Sequence, residues 1–138
     1  MRSLVKYVLF SLAIIMIVHI YSCKKIAGPG GHATVKGKVY AYDYDNTVRY
    51  LISQGYASGE KVYISYGSHI SVDNKVETGV DGVYEFKYLC TGHYKVFANS
   101  LDTNYKIKGN STKNPIVKEF DITSANQTIN LDDIAINK

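Results

Sequence analysis

The chain has 138 residues, 16 Lys and Arg against 12 Asp and Glu, and a net charge of +4. That length suits one domain with one hydrophobic core. The basic excess is too small and too scattered for a nucleic-acid surface, which needs clustered Lys and Arg. Two cysteines exclude a disulfide-dense scaffold. Tyrosine stands out, with 13 copies and no tryptophan.

Residues 1–22 read as a secretory signal. Arg2 and Lys6 form a positive start, and Tyr7 to Ile20 is a mostly apolar run. A membrane span needs about 20 apolar residues, whereas this run is shorter and holds Ser11 and His19. Removing residues 1–22 takes out two basic residues and no acid, leaving a net charge of about +2. The junction Ile20-Tyr21-Ser22-Cys23 places an aliphatic residue three before a cysteine and a small one directly before it. It resembles a lipobox, with Tyr21 departing from the usual second position, and its Ser-Cys-Lys ending is similar to lipoproteins of the Bacteroidetes group.

The lipobox resemblance implies that Cys23 is lipidated and joins the protein to the outer membrane. The acyl chains themselves would provide the grip, since each buried methylene adds about 0.8 kcal/mol and one chain alone binds only reversibly. Lys24 and Lys25 stand where surface-exported relatives often carry acids, which implies the periplasmic side. Cys90, then without a partner, reads as a small buried hydrophobe between Leu89 and Thr91.

Residues 24–32, KKIAGPGGH, read as a flexible linker, and the folded domain is expected from 33 to 138. From Ala33 the pattern is period two, the spacing that sends alternate side chains to opposite faces of a strand. Val35, Gly37, Val39 and Ala41 form one face of a first strand over 33–44. Strands follow at 61–66, with Val62 and Ile64 inward, and at 75–78 and 83–87, which the turn Gly79-Val80-Asp81-Gly82 should join as a hairpin. His93 to Asn99 places Tyr94, Val96 and Ala98 together, and Ile116 to Ile122 begins after Pro115. Thr128 to Ile136 closes the domain with a phase shift that requires a bulge near Asp132 and Asp133. Seven short strands without a helical repeat predict an all-β fold, an antiparallel β-sandwich of Ig-like type, with a small β-barrel as the alternative.

The segments Val35-Lys36-Gly37-Lys38-Val39, Gly59-Glu60-Lys61-Val62, Asp81-Gly82-Val83-Tyr84-Glu85-Phe86 and Gly92-His93-Tyr94-Lys95-Val96 share a familiar spacing. It resembles that of carboxypeptidase regulatory-like, transthyretin-like domains of exported bacterial proteins. The resemblance implies an accessory, linker or adhesive module and specifies no ligand. Where the family often has a short loop, residues 45–58 form a longer insertion with Arg49, Tyr50, Leu51 and Ile52. Binding groups are commonly added in such loops.

Residue chemistry argues against catalysis. Asp43, Asp45 and Asn46 open like a calcium loop, but the glycine and closing Glu are missing. His32, His69 and His93 have no ligand at zinc spacing. His93 with Ser100 or Asp102 lacks a nucleophile motif. No catalytic residue, metal or cofactor is therefore expected. Tyr40, Tyr42 and Tyr44 share one face of the first strand, with Tyr50 and Tyr56 in the insertion, and amphipathic rings of this kind can stack on sugars or anchor a protein. The expectation is a membrane-anchored, non-enzymatic binding or adhesion module for a glycan or protein partner. The alternative is a structural accessory subunit of a cell-envelope complex.

Overall fold

The computed structural model describes residues 26–104 and 112–138. The strands are β1 (Pro29–Tyr44), β2 (Leu51–Tyr56), β3 (Lys61–Tyr66), β4 (Asn74–Glu77), β5 (Val83–Leu89), β6 (Gly92–Leu101), β7 (Lys113–Ile122), β8 (Thr128–Asn130) and β9 (Ile134–Asn137). They form two sheets, as the period-two pattern predicted, with the order β4-β3-β6-β7 in one. The other is built around the 16 residues of β1. On one side of β1 lie β5 and then β2, both antiparallel; on the other lie β8 and then β9, both parallel.

The inner faces are the expected alternating residues. Val35, Val39, Ala41, Tyr84, Phe86, Ile134 and Ile136 from the β1 sheet meet Val62, Ile64, Tyr94, Val96 and Ala98 from the other, all buried. Ser100 links the layers, its hydroxyl accepting the Asn137 amide at 2.9 Å.

Several sequence expectations need correction. Nine strands form among the described residues, not seven. The insertion contains β2, which has no apolar alternation and is mostly exposed, because it is held by backbone pairing to Tyr40–Tyr44 and not by burial. The final segment is two strands: between Asn130 and Ile134 it advances four residues while β1 advances three, from Lys36 to Val39. That extra residue is the bulge expected near Asp132 and Asp133. It keeps Ile134 and Ile136 inward. The sandwich is also not wholly antiparallel, since β8 and β9 run with β1.

The expected hairpin over 75–87 is a crossing between sheets. β4 pairs with β3 and β5 with β1, although the turn is tight, with the Gly82 amide donating to the Gly79 carbonyl at 3.0 Å. The buried hydroxyl of Thr78 gives the physical reason. It donates to the Ala57 carbonyl and accepts the Glu60 amide, drawing the end of β4 toward the β2–β3 connection.

The linker expectation fails at its C-terminal part. The ordered body begins well before Ala33, with Gly28 buried and its carbonyl accepting the Cys90 amide at 2.9 Å. The glycines here serve close approach. A β-carbon on Gly31 would lie 1.9 Å from the Leu89 carbonyl oxygen, so no other residue fits without moving backbone.

Candidate functional site: a tyrosine face on the long strand

Residues directly opposite in a ladder project to the same face, so the register fixes which side chains meet. Tyr40 pairs with Tyr56 and Tyr42 with Gln54 across β1 and β2. On the other side of β1, Ala135 and Asn137 of β9 flank the same two tyrosines. The outer face of this half of the sheet is thus aromatic in the middle and amide-bearing at its borders.

Three of the five singled-out tyrosines touch. The Tyr40 and Tyr42 ring centroids are 5.3 Å apart, and those of Tyr40 and Tyr56 are 5.4 Å apart, both edge to face. Such pairs are worth about 0.5–1.5 kcal/mol each, enough to hold the rings in a defined arrangement while one side stays in water. Tyr56 is 49% exposed and Tyr40 and Tyr42 are half-buried. Tyr44 lies at the far end of β1 opposite Leu51, past a register shift. Tyr50 stands on the β1–β2 connection, 71% exposed, and takes part in none of these ring contacts.

Residues not singled out from sequence complete the face. Lys38 lays its ammonium 4.4 Å from the centroid of the Tyr56 ring. Asp133, in the bulge between β8 and β9, faces the Tyr56 hydroxyl, and hydrogen bonding to that carboxylate together with its charge pushes the phenol pKa up. Beside this pair is a groove of about 340 Å³ lined by Lys36, Lys38, Val83, Asn130 and Asp133. Lys38 was legible as the next same-face residue before Tyr40. Asp133 was not, because only the parallel return of β9 brings it there.

The β1–β2 connection is organised by Asp45. Its carboxylate accepts the Thr47 hydroxyl and the amides of Arg49 and Tyr50. These bonds, that of Thr47 first, hold its pKa at about 2. The carboxylate is thus engaged in the turn itself.

Other side chains weighed for chemistry lie apart. His93 is the second residue of β6, with Nδ1 2.9 Å from Asp121 Oδ1, and Ser100 is seven positions along the same strand, about 23 Å away by strand rise. The odd separation sends the two to opposite faces, Ser100 inward. No cluster of three or more His, Cys, Asp or Glu placed to hold a metal occurs among the described residues. Cys90 is half-buried, with its Sγ 3.5 Å from the Pro29 carbonyl oxygen. Cys23 lies outside the described residues.

No family model and no curated protein matches the chain. Among solved structures it is similar to a crystal structure of a "putative carbohydrate binding protein" (PA1324) from Pseudomonas aeruginosa, with a TM-score of 0.48 and 10% identity, over 87% of this chain and 95% of that one.

Proposed function

We propose that the protein is a lipid-anchored, non-enzymatic binding module of the cell envelope that engages a glycan through the outer face of β1 and β2. The observation that carries this reading is the contact of Tyr40 with both Tyr42 and Tyr56 on a partly exposed sheet surface. Apolar ring faces suit the C–H faces of sugars, while Gln54, Asn137 and Asp133 offer donors and acceptors for hydroxyl groups at the border. The anchor is supported by the sequence Ile20-Tyr21-Ser22-Cys23 and the signal-like run before it.

The accessory-subunit reading would use strand addition at an open sheet edge. β7 ends the order of its sheet, but it carries Lys113, Pro115, Lys118, Glu119 and Asp121. Charges and proline are the devices that keep an edge from pairing. β7 therefore does not offer such an edge, and the ring contacts of Tyr40 make the tyrosine face the better-supported surface.

The test is a glycan array probed with the purified protein and with Tyr56→Ala, Tyr42→Ala and Tyr63→Ala variants. Tyr63 stacks on Phe97 on the other sheet and serves as the control. Substitution of Tyr56 or Tyr42 is expected to weaken binding by about tenfold or more, as for an aromatic hot spot. Equal loss from all three variants, or retention in all of them, would place the site elsewhere.

A further inference from the structure

The start of the folded body sets how far the domain can stand from its anchor. Ala27 packs against Gly92, where an added β-carbon would lie 2.7 Å from that of Ala27. The Gly28 amide donates to the Tyr94 hydroxyl at 2.9 Å. Only Lys24, Lys25 and Ile26 separate Cys23 from this fixed backbone. The four Cα-to-Cα steps from Cys23 to Ala27 reach at most about 14 Å even when fully extended.

The same end of the sandwich exposes large apolar side chains. Ile26 is 82% exposed. Tyr88 is 68% exposed, against the alternation of its strand, in which Tyr84 and Phe86 point inward. The cause is a bulge. From Val35 to Ala33 β1 moves two residues while β5 moves three, from Phe86 to Leu89, and Tyr88 takes φ of 60°. This left-handed backbone turns Tyr88 outward and lets Leu89 return to the core. The β3–β4 connection leaves from Tyr66, which lies beside Gly28, and carries Ile70 and Val72, also exposed.

We infer that this end of the domain, with Ile26 and Tyr88 at its centre, rests on the lipid surface and fixes the orientation of the sandwich. The inference depends on the reading that Cys23 is acylated. A tether this short brings Ile26 and Tyr88 to the headgroup level, where tyrosine rings and aliphatic side chains partition and where Lys24 and Lys25 meet anionic lipid. β1 then rises from the membrane. Ala33, like Pro29, is opposite Leu89, and Tyr40 lies seven positions beyond it, about 23 Å farther along the strand, so the tyrosine face is displayed away from the bilayer.

The absence of tryptophan makes a direct test available. Ile26→Trp, Tyr88→Trp and Val80→Trp variants of the full chain are purified from membranes. They are reconstituted in phosphatidylethanolamine–phosphatidylglycerol vesicles with and without dibrominated phosphatidylcholine. Val80 is 93% exposed on the turn before β5, at the opposite end of that strand from Tyr88. The expected result is loss of emission in brominated vesicles for the variants at 26 and 88, and unchanged emission for the variant at 80. Intact mass is recorded on each sample. Acylated protein whose emission at 26 and 88 matches that at 80 overturns the inference and leaves the anchor standing. Protein without acyl chains overturns the anchor and the orientation built on it.

Discussion

Tyr94 holds Gly28 by its backbone: the Gly28 amide donates to the phenol oxygen at 2.9 Å, and the phenol donates onward to the Cys90 carbonyl at 2.7 Å. The ring is fully buried and stacked on Phe120 at 5.7 Å. A Tyr94→Phe substitution keeps the ring and leaves two backbone groups without this partner. The expected cost is about 1–3 kcal/mol in chemical denaturation. Faster hydrogen exchange at the Gly28 amide should accompany it, and unchanged exchange there would show that the hydroxyl does not hold the entering chain.

Gly37 accommodates the Tyr84 ring. A β-carbon at residue 37 would stand 2.5 Å from the Tyr84 hydroxyl and 2.8 Å from its ring carbon Cζ. Tyr84 is 1% exposed and has no room to withdraw. Gly37→Ala is therefore expected to destabilise the fold by about 1–3 kcal/mol, as overpacking does. In a Tyr84→Leu background the same change should cost measurably less, and simple additivity in the double-mutant cycle would contradict the contact.

The Tyr84 hydroxyl is buried without a hydrogen-bond partner among the described residues, and burial pushes its pKa far up. An unsatisfied buried hydroxyl is a net cost. Tyr84→Phe should stabilise the protein by about 1 kcal/mol, read as a higher melting temperature. A lower one would reveal an acceptor that the phenol uses.

Asp45 gives the pH prediction. Its folded pKa of about 2 is below the ordinary 3.8, so its contribution is present above about pH 4 and is lost as pH falls toward 2. Asp45→Asn retains an acceptor without the titration. Its melting temperature should fall less than that of the unsubstituted protein across this interval, and parallel curves would remove Asp45 from the account.

Alternation made the core legible in the sequence, because Val35, Val39, Ala41, Tyr94, Val96 and Ala98 belong to strands that each face one interior. It was uninformative where backbone pairing alone holds a strand, as in β2. It gives no sign of Tyr88, beyond the expected strand over 83–87, where a bulge with a left-handed residue reverses the phase without glycine to announce it. The glycines of residues 24–32 looked like slack because flexibility and close approach call for the same residue, and only the Leu89 carbonyl beside Gly31 distinguishes them. The tyrosine face was half visible. Tyr40 and Tyr42 share a face by parity, but their contact with Tyr56 and the nearness of Asp133 depend on long-range register.

The placement of β1 also has a mechanical consequence. Its N-terminal half is laced to β5 and β8, and its C-terminal half to β2 and β9. A load applied between the start of β1 and the tyrosine face runs along this one strand. It strains the flanking ladders in shear, with many hydrogen bonds sharing the force at once, instead of peeling an edge strand bond by bond. Forced unfolding is governed by the unfolding rate, and a strand clamped on both sides presents the slower route. With the proposed anchor in place, the domain would stay folded under tension between a membrane and whatever its far end holds.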